Sequence, residues 1–141
     1  MSDVLKGKRG LVMGVANDRS IAWGIAKAMH EAGAELAFSY QGEAFGKRVM
    51  PLAESLGSDF LVDMDVTDDA SLDAGFGALA ERWSSIDFLV HAIAFSDKSE
   101  LTGRFLNTSR ANFKNSMDIS VYSFIECARR AHPMMIGTGG T

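Results

Sequence analysis

Residues 14–24 read GVANDRSIAWG, and this stretch decides the fold. The short apolar run Leu11-Val12-Met13 precedes it, and apolar residues at helical spacing follow it. A glycine-containing turn between a buried strand and a helix start suits an anion, because free backbone N–H groups and the positive end of the helix dipole point towards it. The stretch therefore predicts a phosphate-binding turn. A tight turn in which the glycines serve only packing is the alternative.

The glycine spacing of this turn differs from the usual G-x-G-x-x-G pattern. Gly14 opens the turn, a polar insert follows at 17–20, and Gly24 falls within the first turns of the helix. Ser20 is a suitable N-cap residue, and its hydroxyl could equally face a diphosphate.

The composition of the 141-residue chain is that of a globular protein, with 47% hydrophobic and 23% charged residues. The formal net charge is −4 and no basic run occurs, which argues against nucleic acid and an anionic membrane surface as partners. No apolar stretch has the length of a membrane span, and residues 1–10 lack the apolar core of a signal peptide, so we expect a cytoplasmic protein. The lone cysteine, Cys127, excludes an internal disulfide, and the three histidines show no metal-ligand spacing with it.

Strands and helices alternate along the chain. The predicted strands are 9–13, 35–40, 59–66 and 86–95. The predicted helices are 20–32, the segment between Gly42 and Gly57, the segment from Asp68 to Trp83, and a long helix over 109–133. Pro51 lies inside the second helix and predicts a kink or two short helices there.

Near-continuous apolar strands with short connections require a parallel sheet covered by helices on both faces. We therefore predict a Rossmann-like, doubly wound α/β fold with strand order 3-2-1-4, in which residues 1–141 form part of one dinucleotide-binding domain. A ligand crevice is expected at the carboxyl ends of the strands, where the order reverses.

Polar residues follow the second and third predicted strands at that edge. Gln41 can bond a ribose hydroxyl but brings no positive charge for a 2′-phosphate, which favours NADH over NADPH, although Lys47 or Arg48 could still reach a phosphate. A solvated turn residue is the alternative for Gln41. Asp65 can accept the adenine amino group while the backbone of Val66 bonds the ring; alternatively Asp65 is an acid favoured near a helix N-terminus.

The last strand and helix carry three further polar positions. His91 lies in an apolar strand and is expected to be a satisfied core histidine rather than a catalytic base. Asp118 and Ser120 are expected to bond nearby backbone. The long helix is apolar around much of its girth, which suits a subunit interface or burial on its own sheet. Its apolar positions are Phe113, Met117, Val121, Phe124 and Ala128.

Four segments together resemble the NADH-dependent enoyl-acyl-carrier-protein reductase family, a divergent branch of the short-chain dehydrogenases/reductases: GVANDRSIAWGIAKAMHEAGAELAFSYQ, DMDVTDDASL, DFLVHAIAF and DISVYSF. The G-x5-S-I-A-x-G insert and the H-x-I-x-F strand end distinguish this family from ordinary short-chain dehydrogenases. The resemblance implies reduction of a trans-2-enoyl thioester on acyl carrier protein in fatty-acid biosynthesis, with NAD as the cofactor. It also implies a homotetramer when the protein is full length.

The resemblance implies NADH contacts at the positions that match the family's pattern. These are Gly14 at the first turn, Ser20 and Ile21 at the diphosphate, Gln41 at the adenosine end, Asp65 and Val66 at adenine, and Ile93 at the end of the fourth strand. It also implies that Ser96 begins the lining of the acyl-substrate pocket.

The family's catalytic tyrosine and lysine are expected beyond residue 141. Tyr40 precedes Lys47 at the family's spacing but straddles the turn at the adenosine end, and Tyr122 has Arg129 at that offset. We therefore expect an N-terminal, cofactor-binding part of the enzyme with no catalytic residue, inactive alone, whose sheet ends at an unpaired apolar edge. The alternatives are a stand-alone, non-catalytic nucleotide-binding module and a short-chain dehydrogenase with another carbonyl or alcohol substrate.

Overall fold

A four-stranded parallel sheet lies at the centre of the computed structural model, which describes residues 3–141. The strand order is β3-β2-β1-β4, as the alternation of elements predicts. The strands are β1 (Arg9–Met13), β2 (Glu35–Tyr40), β3 (Leu61–Asp63) and β4 (Phe88–His91). The helices are α1 (Ile21–Glu31), α2 (Gly42–Ser55), α3 (Asp69–Arg82), α4 (Arg110–Met117) and α5 (Ser123–Met135).

Successive residues of β1 face opposite sides of the sheet, and each side has its own core. Val12 pairs in register with Phe38 of β2 and packs against α1 and α2. Leu11 and Met13 face the other side, where α3 and α5 cover them. All three β1 side chains have 0% exposure, so both faces of the central strand are closed, as a doubly wound sheet requires.

The third and fourth strands are shorter than the expected 59–66 and 86–95. After β3, the Met64 N–H donates to Tyr40 O at 2.8 Å, and the chain then turns at Asp65. After β4, the Ala92 N–H donates to Met13 O at 3.0 Å, and the backbone of Phe95 bonds a side chain instead of a strand. The apolar runs extend beyond the strands because the loops at this edge line a cleft.

The second helix is continuous from Gly42 to Ser55, so the expected division into two short helices is wrong. Pro51 lies on the exposed side of α2, where water can satisfy the carbonyl of Lys47 that loses its N–H partner.

The expected single helix over 109–133 is also wrong, because a π-helical turn, Asp118–Tyr122, separates α4 from α5. The extra residue shifts the apolar pattern of α5 relative to that of α4. Phe113, Met117, Val121 and Phe124 are 44–58% exposed. Cys127, Ala131 and Met134 face the core instead. Cys127 is the small buried hydrophobe that the sequence predicts, and burial raises its thiol pKa to about 11.

Strand β4 is the edge strand, as expected, yet its edge is not wholly unpaired. The Thr141 N–H donates to Asp87 O at 3.0 Å, and the Leu89 N–H donates to Thr141 O at 2.9 Å. The expectation of a bare edge is therefore corrected at this one position. In residues 3–141, no helix combines the length and the apolar character needed to cross a membrane.

Candidate cofactor-binding site

A cleft of about 600 Å³ lies at the carboxyl ends of the strands. Residues from the ends of β1, β2, β3 and β4 line it, which is the predicted position of the crevice. Five of the predicted contacts line this cleft together: Gly14, Gln41, Asp65, Val66 and Ile93. The fold thus gathers residues that lie up to 79 positions apart along the chain.

The turn after β1 requires glycine at its first position. Gly14 has a φ of +108°, and a Cβ atom there would lie 2.1 Å from the carbonyl oxygen of Ala92. A side chain would therefore strain the backbone and separate β1 from the end of β4. The glycine lets the turn lie close to the end of β4 at the cleft.

Ser20 holds the polar insert in shape. Its Oγ accepts the backbone N–H groups of Ala16 at 2.9 Å and Asn17 at 3.0 Å. Ser20 is the N-cap residue of α1, as predicted, but its side chain makes no hydrogen bond to that helix. Because the oxygen is the acceptor in both bonds, the hydroxyl hydrogen can point to a further acceptor.

Two of the predicted contacts, Ser20 and Ile21, do not line the cleft. The Ile21 side chain is 79% exposed, and Ile21 is the first residue of α1. The leading N–H groups of a helix lack intrahelical acceptors, so the start of α1 presents donors next to the glycine turn.

Asp65 is held as a carboxylate by the turn that follows β3. Its Oδ1 accepts the Thr67 hydroxyl at 2.7 Å and the Thr67 N–H at 2.9 Å. These bonds from Thr67 lower the pKa of Asp65, and the Gln41 side chain adds a smaller contribution in the same direction. Oδ2 takes no part in the Thr67 bonds. Asp68 caps α3 through the N–H groups of Ala70 and Ser71, which leaves Asp65 at the cleft.

His91 is a partnered histidine, as predicted. Its Nε2 lies 2.7 Å from Ser123 Oγ, and Ser123 itself donates to Ile119 O at 2.6 Å. Since the Ser123 hydroxyl is already a donor, His91 carries its proton on Nε2. Burial lowers the pKa of His91, so the ring is neutral and ties β4 to the π-helical turn. The ring also meets Phe124 edge-on at 5.5 Å.

Two serines fasten the loop that follows β4. Ser120 Oγ accepts the Phe95 N–H at 3.0 Å and donates to Phe95 O at 3.2 Å, so it bonds backbone 25 residues away rather than backbone near it in the chain. Ser96 Oγ accepts from Asn112 Nδ2 at 3.1 Å. Ser96 is half-buried and does not line the cleft, so its assignment to a substrate pocket stays a prediction.

Three lining residues come from helical segments and were not predicted from the sequence: Phe45, Asn115 and Ile119. Phe45 has the helical spacing of a core residue relative to Val49, yet it is 41% exposed while Val49 is buried. Its position four residues after Gln41 puts both on one side of α2, and that spacing was the available signal. Nothing local identifies Asn115 or Ile119, because the break after α4 determines which way they face.

The strand order, the glycine turn and the cleft at the switch point define a Rossmann-like α/β protein of the class that binds dinucleotides at this edge. The family model described as Enoyl-(Acyl carrier protein) reductase matches residues 14–141. The chain belongs to this family.

Individual relatives agree with this assignment. The chain is 63% identical over 134 residues to enoyl-[acyl-carrier-protein] reductase [NADH] 1 of Rhizobium meliloti (strain 1021), covering 95% of this chain and 49% of that protein. It is 55% identical to the crystallised Anaplasma phagocytophilum reductase in complex with NAD, with a TM-score of 0.92 over 96% of this chain and 52% of the other.

A third relative was crystallised with another coenzyme. The Bacillus cereus enoyl-acyl carrier protein reductase, solved with NADP+ and indole naphthyridinone, is 41% identical, with a TM-score of 0.91 over 97% of this chain and 54% of the other. The chain thus spans about half the length of the relatives it matches.

Proposed function

We propose that the protein containing these 141 residues reduces trans-2-enoyl-acyl-carrier-protein with NADH in fatty-acid biosynthesis. The chain supplies the cofactor-binding part of this oxidoreductase. The observation that carries the proposal is the cleft at the switch point, lined by five residues at the family's coenzyme positions. The 63% identity to a reductase named for NADH supports the choice of reaction and coenzyme.

NADH would lie across the carboxyl ends of the strands. The Gly14 turn, the Ser20 hydroxyl and the Ile21 N–H would hold the diphosphate, since the turn leads to the start of α1 and the hydroxyl and the N–H are donors there. Gln41 would bond the adenosine ribose. Asp65 Oδ2 would accept the adenine amino group, because Oδ1 already serves Thr67.

The remaining contacts are Val66 and Ile93. The backbone of Val66 would bond the adenine ring, and Ile93 would border the nicotinamide end on the β4 side. The carboxylate state of Asp65 is favoured at neutral pH because the Thr67 bonds lower its pKa.

The reaction transfers a hydride from NADH to the β-carbon of the enoyl thioester, and a proton then reaches the α-carbon, leaving NAD+ and the saturated thioester. Electrostatic stabilisation of the enolate needs a donor beside the thioester oxygen. Tyr40 lies at the end of β2 beside Gln41, on the adenosine side, and Tyr122 lies in the π-helical turn beside Glu126. We assign no catalytic residue to this chain and expect the 141-residue chain alone to be inactive.

We further propose that the full-length protein is a homotetramer in the cytoplasm, where the NADH pool is located. Exposed apolar side chains along α4, the π-helical turn and α5 support a subunit interface: Phe113, Met117, Val121, Phe124 and Ile125. Such a patch on one helical surface is typical of an interface. Sedimentation of the full-length protein and cell fractionation test these two statements.

The test of the proposed activity compares the full-length protein with the 141-residue chain. NADH oxidation is followed with a trans-2-enoyl thioester on acyl carrier protein, and the saturated thioester is identified by mass spectrometry. We expect turnover by the full-length protein, and no turnover with weak NADH binding at best for the 141-residue chain. Absence of turnover by the full-length protein would contradict the proposal.

A further inference from the structure

We propose that Asp63 excludes nucleotides with a 2′-phosphate, so that the cleft selects NADH over NADPH. This inference rests on the proposed function. It concerns a residue that neither the sequence pattern nor the lining of the cleft identifies as a ligand contact. Two relatives of this fold were crystallised with different coenzymes, NAD and NADP+, so the fold by itself does not fix the coenzyme.

Asp63 accepts a hydrogen bond from a backbone donor next to the proposed ribose contact. It is the last residue of β3, and its Oδ1 accepts the Gly42 N–H at 3.0 Å. Gly42 follows Gln41 directly, and its φ of +76° turns the chain sharply into α2. A phosphate on the ribose 2′-oxygen would be bound by backbone N–H donors at this helix start. One of these donors, the Gly42 N–H, is already bonded to the Asp63 carboxylate.

The charged groups around this helix start add up to a net negative charge. Asp63, Asp65 and Glu43 supply three carboxylates, against the cations Lys47 and Arg48. Lys47 Nζ lies 2.8 Å from Glu43 Oε1. This pair is 74% and 83% exposed, so it is weak, and Glu43 offsets the Lys47 charge only in part.

Arg48 is also turned towards a partner in its own helix. Its guanidinium carbon lies 5.9 Å from the centre of the Phe45 ring, and Phe45 lines the cleft. The two cations that could reach a 2′-phosphate each have a neighbour in their own helix, Glu43 for Lys47 and Phe45 for Arg48. A 2′-phosphate would bring about two negative charges next to Asp63, whereas the free hydroxyl of NADH brings none.

The test measures dissociation constants of NADH and NADPH for the full-length protein and its Asp63→Asn variant, by nucleotide fluorescence. Asparagine keeps an Oδ1 acceptor for the Gly42 N–H, so the backbone turn is retained while the charge is removed. We expect NADPH to bind about tenfold more tightly to the variant, with NADH changed less than about twofold. Adding Glu43→Gln frees Lys47, and we expect a further gain for NADPH alone.

The matched control is Glu54→Gln, which makes the same charge change at the other end of α2 on an exposed side chain. It should leave the ratio of the two dissociation constants unchanged. An unchanged ratio in Asp63→Asn, with NADH still bound, overturns the inference and leaves the proposed function intact. An equal shift in both variants overturns it too, since bulk charge would then be the cause. Failure of the native protein to bind NADH overturns both.

Discussion

The β1–β2 half of the sheet and the β4 half differ in how completely they are covered. Leu11 and Phe38 have no exposed surface, and helices lie on both faces of their strands. Leu89, Val90 and His91 of β4 are each half-buried. In the first half, contacts made by the first three βα units cover the strands. In the second half, residues 3–141 leave these β4 side chains only partly covered.

The two sides of the cleft differ in the same way as the two halves of the sheet. The side of the cleft next to Gln41 is held by hydrogen bonds of two carboxylates, from Thr67 to Asp65 and from the Gly42 N–H to Asp63. The β4 side ends in Phe95, which is 50% exposed. The contrast shows that hydrogen bonds within and between the loops after β2 and β3 hold one side of the cleft, whereas the β4 side keeps an exposed aromatic side chain.

The largest effect on stability is expected at Gly14 and Ala92, where the turn after β1 contacts the end of β4. Gly14→Ala places a Cβ atom against the Ala92 carbonyl at a φ of +108°, and backbone on both sides resists the shift. We expect a loss of roughly 3 kcal/mol or more in the free energy of unfolding, measured by urea denaturation.

The control for Gly14→Ala is Gly24→Ala in α1, where nothing lies within 4 Å of the added Cβ. Alanine is the better helix former, so we expect a gain of about 0.5–1 kcal/mol. Equal destabilisation by both substitutions would show that the close approach of β1 and β4 is not the cause.

A pair of core truncations compares the two halves directly. Leu11→Ala should cost roughly 3–4 kcal/mol, because Leu11 is fully buried and its neighbours cannot collapse into the cavity. Leu89→Ala should cost about 1–2 kcal/mol, since part of that side chain already meets water. Both values come from chemical denaturation of the 141-residue chain. Similar costs would mean that the β4 half is as well covered as the β1 half.

A smaller effect is expected at the polar insert. Ser20→Ala removes the acceptor of the Ala16 and Asn17 N–H groups, which should cost about 1–2 kcal/mol. Under the proposed function it should also weaken NADH binding by the full-length protein about tenfold, a factor that titration calorimetry can resolve. Ser84→Ala, on an exposed serine, is the control and should change neither quantity. Unaltered NADH affinity in Ser20→Ala would remove Ser20 from the proposed contacts.

The smallest effect concerns pH and the joint between α5 and α3. Hydrogen bonds from Arg130, Tyr122 and Arg129 lower the pKa of Glu126 from 4.5 to about 2. Because the folded-state pKa is depressed, this carboxylate contributes stability above pH 4.5 and loses it as the pH falls towards 2. The ion pair continues from Arg130 Nε to Asp73 of α3 at 2.7 Å.

Glu126→Gln should therefore lower the melting temperature modestly at neutral pH and flatten its fall between pH 4.5 and 2. Glu31→Gln, on an exposed side chain at the end of α1, is the control and should keep the native pH profile. An unchanged profile in Glu126→Gln would show that another carboxylate governs acid unfolding.

Most of the fold was predictable because its signals are local. The apolar strands, the glycine turns and the helical spacing act within a few residues, and they led to the order 3-2-1-4 and to one cleft holding Gly14, Gln41, Asp65, Val66 and Ile93. The π-helical turn was not predictable, because Ser120 and Ser123 are directed by partners on β4 and its loop, Phe95 and His91. Hydrogen bonds between residues this far apart produce no periodic pattern in the sequence.

The sequence by itself determined the βα alternation, the parallel sheet, the glycine at the first turn and the family to which the chain belongs, since turn chemistry and hydrophobic spacing are properties of neighbouring residues. Tertiary structure alone decided that Phe113 and Phe124 face outwards, that Phe45 lines the cleft and that Asp63 meets Gly42. These outcomes depend on packing between elements that are 20 or more residues apart in the sequence. The surroundings of such a side chain are set by distant backbone rather than by its neighbours in the chain.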